Sequence, residues 1–504
     1  MSGAFILVVI LTYFLVLFGI SRWTSRGAQN ETFFTGDRSS KWYVVSFGMI
    51  GASLSGVTFL SVPGWVGDAS NQFSYMQAVL GYMIGYLIVA YVLLPIYYRM
   101  NLISIYEYLN ERFGFWSYKT GALFFLVSRI IGASVRLLLV ANVLQSILFD
   151  DLGIRFEYTV VISILLIWIY TNRGGIKTIV WTDTLQTAFM LIAVCLTVWF
   201  VFQGLDVNTG KGIVETVSSS GYSQIFFFDD INSSNHFLKH FLGGIFITVG
   251  MTGLDQDMMQ KNLTCRSVGD AKKNMVSLGV ILIFVNLLFL GLGALLYLYA
   301  KQQGIEFGKS DLLFSSVALS DFAGPAVGVF FLLGLIAAAY SSADSALTSL
   351  TTSFSIDFLN VKKKGERNQR MRKMVHIIMS AVLVIVVILL KKTTDESAIV
   401  LLMKFAGFTY GPLIGVFFFG IITKRRVKDV FVPIISIIAI SLSFLMWYFS
   451  AGAPGGYPDT GLFGGYRFGF ELIILNSIVT FVLMFVVSFI KPKNSQQLTD
   501  LVDA

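Results

Sequence analysis

Apolar residues in this chain run in long blocks. They lie near 4–21, 43–66, 74–98, 118–148, 157–171, 178–203, 237–260, 275–300, 322–358, 373–390, 396–422, 429–450 and 470–490. A bilayer's hydrocarbon core is about 30 Å thick, and a helix crosses it with about 20 apolar residues. The pattern therefore predicts an all-α polytopic membrane protein with about thirteen transmembrane helices. The segments between the blocks alternate in charge. Loop 22–42 carries Arg22, Arg26, Arg38 and Lys41; loop 99–117 carries Arg99 and Arg112. Loop 261–274 carries Lys261, Arg266, Lys272 and Lys273; loop 359–373 is the most basic, with Lys362, Lys363 and Lys364 at its centre. Loop 423–428 carries Lys424, Arg425, Arg426 and Lys428, whereas 67–73 has no basic residue and 204–236 has one lysine. The excess of Lys and Arg marks cytoplasmic loops, so the N-terminus is expected outside and the C-terminus inside.

Composition agrees and adds limits. Of the 504 residues, 55% are hydrophobic and 13% charged, far from the quarter charged that a soluble domain carries. The net charge of +8 follows from the basic loops, which removes the reason to expect nucleic-acid binding. Cys195 and Cys265 are the only cysteines and form no metal or disulfide framework. The first block has no basic n-region or small-residue cleavage site, so it reads as a retained span rather than a signal peptide. The tail after Lys491 is short and expected to be disordered.

Two blocks are not plain. FGMIGASLSGVTFLSVPGWVG (47–67) and FLGGIFITVGMTGLDQDMMQ (241–260) are interrupted by Gly, Ser, Thr, Pro and Asp. Small residues let helices pack closely. Irregular backbone at membrane depth is otherwise tolerated where it lines a cavity or is buried in protein. The two segments stand five spans apart, and Gly-interrupted spans at corresponding places in two halves point to an inverted-repeat transporter.

AAAYSSADSALTS (337–349) places Ser341, Ser345, Thr348 and Ser349 on one side of a helix, with Asp344 beside Ser341 and Thr348. The hydroxyls can bond back to carbonyls one turn earlier. Together with a carboxylate they also supply the oxygens that a hard cation takes, and an acid at this depth faces a cavity or a partner. Asp183 is a second intramembrane acid, or an interfacial one, a few residues past NRGGIK. Arg129 and Arg136, seven positions apart, share a face of one span; they meet either an anionic solute group or protein acids and carbonyls. His236 and His240 have a metal-compatible spacing after Asp229 and Asp230 but adjoin a loop, and His376 opens a span. No intramembrane nucleophile, histidine and acid stand together in the pattern, so no enzyme is expected.

ISIYEYLNERFG (103–114), YTNRGGIKTIVWTDTLQ (170–186), GLDQDMMQKNLTCRS (253–267) and AAAYSSADSALTSLTTSFSIDF (337–358) resemble motifs of the sodium:solute symporter family, in order and over about residues 4–450. That family includes sodium/glucose, proline, iodide, multivitamin and sialic acid transporters. The resemblance implies a leucine-transporter-type fold of two inverted five-helix repeats, 43–203 and 237–422. Residues 1–42 would hold an extra span and loop, 204–236 an extracellular loop, 423–490 two further spans, and 491–504 a cytoplasmic tail. It implies Na⁺ as coupling ion, held at a first site by carbonyls of Gly51, Leu54 and Ala338 and hydroxyls of Ser341 and Ser342. A second sodium site would use Asp183, Ser342 and Ser345, with Asp344 standing where such members commonly carry Ser or Thr. Solute would meet Ser53, Ser55, Thr58, Phe73, Gln77 and Arg129. A Gln, an Arg and several hydroxyls are similar to the sialic acid branch, and SGVTFLSVPG resembles the iodide, monocarboxylate and multivitamin branch. The expected protein is a plasma-membrane sodium symporter of a small polar, anionic organic solute, working as a monomer by alternating access. The alternatives are proton coupling, or a neutral sugar or amino acid as solute.

Overall fold

The apolar blocks fold as helices, and the computed structural model describes residues 3–490 apart from 27, 29, 151–152, 207–211, 321–323, 362–365, 394–397 and 452–460. Lys362, Lys363, Lys364 and the tail 491–504 lie outside the described residues. In chain order the principal elements are α1 (Gly3–Thr24), α2 (Trp42–Leu54), α3 (Gly56–Trp65), α4 (Tyr75–Arg99), α5 (Phe115–Leu144), α6 (Phe156–Gly174) and α7 (Ile176–Gln203). They continue as α8 (Phe237–Gly253), α9 (Gln256–Asn262), α10 (Val268–Gln303), α11 (Gly324–Ser353), α12 (Glu366–Thr393), α13 (Ala398–Ile422), α14 (Phe431–Tyr448) and α15 (Leu472–Val487). No strand occurs among the described residues. Nine helices there are long and apolar enough to cross a membrane, and the pairs α2/α3 and α8/α9 bring this to eleven if each is one bent span. The shorter apolar helix of residues 156–172 and α15 occupy two further apolar blocks.

The two interrupted blocks are the two broken helices. α2 and α3 meet at 56° and α8 and α9 at 68°. The first break falls in a run of small residues, where Ser55 leaves helical geometry (φ 19°, ψ 172°). The second follows a π-turn over Val249–Gly253. Asp255 then restarts the helix as its N-cap, its carboxylate accepting from the amides of Asp257 (2.9 Å) and Met258 (3.2 Å).

Packing relates the halves. α2 and α3 lie along α10, and α8 lies along α4; α7 packs on α11, and α13 on α5. Each broken helix thus rests on the helix that follows the other broken helix. At the α4–α8 contact a Cβ on Gly244 would stand 2.3 Å from the Ala78 carbonyl oxygen. Without a driving force from water, such close backbone approach supplies the packing between membrane helices. The apolar windows of α11 and α13 are 78% buried, against 28% for those of α1, α12 and α14. With the buried residues at the breaks of α2, α3 and α8, α11 and α13 therefore form the centre of the bundle, with α1, α12 and α14 around it.

Candidate functional site

The two breaks open onto a cavity of about 90 Å³. From α2 and α3 it is lined by Ala52, Ser53, Ser55, Val57 and Thr58, and from α8 and α9 by Ile247, Thr248, Met251, Thr252 and Met258. α4 contributes Tyr75, Tyr82 and Tyr86, α5 contributes Arg129 and Arg136, and α13 contributes Leu402 and Met403. Hydroxyls and apolar groups alternate around two guanidinium groups, a lining that can hold a small solute with one charged end.

The arginines differ in what they meet. Arg129 pairs directly with Asp257 Oδ2, and its other terminal nitrogen stands 3.8 Å from Asp255 Oδ2. Those acids come from the restart of the second broken helix. Asp255 also accepts from the Tyr410 hydroxyl, and Asp257 accepts from Ser345 Oγ at 2.6 Å. Arg136 is 6% exposed. No carboxylate among the described residues comes within 4.0 Å of it, and its Nε has no hydrogen-bond partner. A buried guanidinium in this condition calls for an anion.

Beside the first break stands the hydroxyl wall of α11. A Cβ on Gly56 would lie 3.7 Å from Ala339 Cα, so the break and the middle of α11 are in contact. Ser341 Oγ donates to Asp183 Oδ1 at 2.7 Å, and Ser342 Oγ donates to the Ala338 carbonyl at 3.3 Å. Each hydroxyl gives away its proton and keeps lone pairs for another partner. α7 joins these groups to the break: Thr187, one turn from Asp183, accepts from the Gly51 amide at 3.0 Å and donates to the Gly48 carbonyl at 3.3 Å.

The model of the sodium:solute symporter family matches residues 33–429. The chain belongs to the sodium:solute symporter family. It is 24% identical over 431 residues to the sodium/sialic acid symporter NanT of Aliivibrio fischeri, covering 84% of this chain and 83% of that one. It is 28% identical over 347 residues to the human sodium-coupled monocarboxylate transporter 2, covering 66% of this chain and 53% of that one. The fold matches a substrate-bound, outward-open Na⁺-coupled sialic acid symporter with a TM-score of 0.78 at 19% identity, over 97% of this chain and 98% of that chain. The protein is a multi-pass membrane transporter with Na⁺ as its coupling ion, not an enzyme.

Within this symporter, several residues stand apart from where the pattern puts them. Phe73 and Gln77 do not line the cavity. Gln77 is used in fastening the 222–236 segment: its Nε2 donates to the Asn235 carbonyl (2.9 Å) and its Oε1 accepts from the Phe227 amide (3.1 Å). The Phe73 amide donates to the Gln224 carbonyl in the same region. The four residues read as a second sodium site are not gathered on one point. Asp183 is met by Lys261, whose ammonium is 2.7 Å from Oδ2; Ser345 turns to Asp257, and Asp344 accepts from Tyr170 at 2.7 Å. Neighbouring positions on a helix point about 100° apart, so Asp344 and Ser345 face different partners.

Lys261 is not a loop residue either. α9 continues past the second break and carries it into the bundle, 1% exposed. His236 caps α8, accepting from the Leu238 amide, and His240 stacks on Phe470. Among the described residues no three His, Cys, Asp or Glu gather as metal ligands. Asp257 and Tyr410 escaped sequence reasoning, and Asp255 entered it only as a polar interruption of its span. Both acids stand in GLDQDMMQK, immediately after a Gly-interrupted span, which was the available signal.

The close fit at the first break yields a test. A Cβ on Gly51 would stand 2.3 Å from Thr187 Oγ1. Gly51→Ala is expected to cut sodium-driven uptake by about tenfold or more, as overpacking costs about 1–3 kcal/mol. Adding Thr187→Ala, which removes the obstructing hydroxyl, should restore much of it. Uptake in proteoliposomes by the single and double variants checks this.

Proposed function

We propose that this symporter uses the inward sodium gradient to import a small organic anion, with Arg136 taking its charged group. The supporting observation is the Arg136 guanidinium, buried on the cavity wall without a carboxylate, while Arg129 beside it is already paired. The room favours a solute of monocarboxylate size: a water's share of liquid volume is about 30 Å³, so the cavity's 90 Å³ has room for roughly three waters. A sugar acid is the second reading. A further cavity of about 180 Å³, with Lys404 and Trp447 in its wall, shares Ile247 and Met403 with the first, and parting those two side chains would join them.

On this reading residues 43–203 and 237–422 are the two repeats, the basic loops face the cytoplasm, and one chain suffices for transport. Sodium is held by carbonyls of Gly51, Leu54 and Ala338 and by the hydroxyls of Ser341 and Ser342. It fastens the broken helix to α11 and so shapes the cavity floor formed by Ser53, Ser55 and Thr58. Coupling between two ligands is reciprocal, so sodium raises solute affinity and solute raises sodium affinity equally.

Uptake into proteoliposomes with a panel of monocarboxylates, sialic acids, neutral sugars and amino acids tests the solute class. Accumulation of a carboxylate under a sodium gradient is expected, and accumulation of neutral solutes alone would overturn it. Transport in sodium-free buffer across a pH gradient would favour proton coupling instead. Ser342→Ala removes one proposed ligand; it should raise half-saturating sodium by about tenfold and lower solute affinity in step at fixed sodium. Wild-type sodium dependence in that variant would remove Ser342 from the site.

A further inference from the structure

At the end of α1 that leads into the first basic loop, the seam between α1 and α6 opens into a cavity of about 630 Å³. Phe18, Trp168 and Ile169 form its apolar wall, and Arg22, Ser25 and Arg26 its polar end. Hydrogen bonds fix the seam. Ser21 Oγ donates to the Tyr170 carbonyl at 2.5 Å, and the Thr24 and Thr178 hydroxyls, 2.7 Å apart, tie α1 to α7. The cavity shares no residue with the two cavities near the breaks.

Its polar groups lack protein partners. Among the described residues no carboxylate comes within 4.0 Å of Arg22 or Arg26. Asp37, in the loop that follows, is taken by Lys177 at 3.0 Å. Exposed arginines are hydrated and need no partner by themselves. The Trp168 indole N–H and Asn172 Oδ1 also line this cavity; both atoms are buried and neither has a hydrogen bond. Buried polar groups are nearly always satisfied, so an unspent donor beside two guanidinium groups calls for an anion.

Two apolar stripes lead away from that end. Leu11, Leu15, Phe18 and Arg22 follow one another at helical spacing on α1, and Ile162, Leu165, Ile169 and Asn172 do so on α6. Leu11, Leu15, Ile162, Leu165 and Ile169 are all exposed, which suits contact with hydrocarbon. Trp23, next to Arg22, and Trp181 of α7 are exposed with ring centroids 5.3 Å apart. Exposed tryptophans mark the level of the lipid headgroups. Cations at that level, continued by apolar stripes toward the bilayer centre, match the shape of a phospholipid. Basic pockets between spans on the cytoplasmic side take anionic headgroups.

We propose that this seam binds one anionic phospholipid of the cytoplasmic leaflet. Arg22 and Arg26 take its phosphate, the Trp168 N–H donates to a headgroup oxygen, and the acyl chains lie on the two stripes. The inference is independent of the solute and sodium assignments and rests on the basic loops facing the cytoplasm.

The test titrates the full chain in detergent with phosphatidylglycerol, phosphatidylcholine or inorganic phosphate. Native mass spectrometry counts bound lipid, and thermal unfolding reports the stabilisation that a ligand of the folded state confers. One phosphatidylglycerol is expected to bind and raise the unfolding temperature, with phosphatidylcholine and phosphate far weaker. A basic residue at an anionic surface contributes about fivefold, so Arg22→Gln with Arg26→Gln should weaken phosphatidylglycerol by about twentyfold. Arg266→Gln, a basic-loop change outside the cavity, should leave its affinity unchanged. Trp168→Phe keeps both charges and should weaken binding about fivefold; it takes the place of the arginine variant if that one fails to fold. Unchanged affinity in the deciding variant overturns the site, as does an equal loss in Arg266→Gln. Equal binding of phosphatidylcholine overturns it too, and equal stabilisation by inorganic phosphate overturns the lipid in favour of a free anion.

Discussion

Arg136→Leu is expected to lower the affinity for an anionic solute by about a hundredfold. Removing one member of a buried, charge-assisted pair costs about 2–5 kcal/mol, and about 2.8 kcal/mol is a hundredfold. Sodium binding without solute should change little, because Arg136 stands on α5 and is not among the proposed sodium ligands. Arg136→Lys keeps the charge and loses the planar fork, so an intermediate loss of about tenfold is expected. Arg129→Leu should behave differently. It strips Asp257 of its ion pair and should destabilise the protein before it alters solute preference. Calorimetric titration with solute, beside thermal unfolding in detergent, separates the two arginines. Wild-type affinity in Arg136→Leu would end its assignment to the solute.

Lys261→Met is expected to destabilise the protein by about 3–5 kcal/mol, the range for breaking a buried ion pair and leaving one charge uncompensated. Both partners are 1% exposed, and the carboxylate also anchors Ser341. Adding Asp183→Asn removes the stranded charge. The double variant should recover most of the loss, since buried pairs exchanged for neutral groups are often neutral in stability. Thermal unfolding of the two single variants and the double gives the coupling directly. A double variant as unstable as Lys261→Met would show that Asp183 and Lys261 do not act as a pair.

The helices and the breaks were legible because they are local properties. Hydrophobic length selects a span, and a Gly- and Ser-containing run such as GASLSG has low intrinsic preference for continuing a helix. The hydroxyl wall of α11 was legible for the same reason: helical periodicity alone sets which of Ser341, Ser342, Asp344 and Ser345 share a face. Family motifs then identified the coupling ion. Partners were not legible. Gln77, expected to meet solute, bonds Asn235 and Phe227, some 150 residues away. Lys261 counted as one more basic loop residue until the second break turned α9 back into the bundle.

Arg129 and Arg136 draw the line most clearly. The sequence by itself determined that this is a polytopic membrane protein with two interrupted spans, oxygen-rich where a cation would sit and carrying two arginines on one face at membrane depth. Those features follow from transfer energies and helical geometry, which depend only on neighbouring residues. Only the tertiary structure decided that Asp255 and Asp257 reach Arg129 and leave Arg136 open, and that Lys261 takes Asp183 while Asp344 turns to the Tyr170 hydroxyl. A buried charge is compensated only where a partner of opposite sign stands against it in good geometry, and which charges stand within a few ångströms is fixed by the packing of helices far apart in the chain.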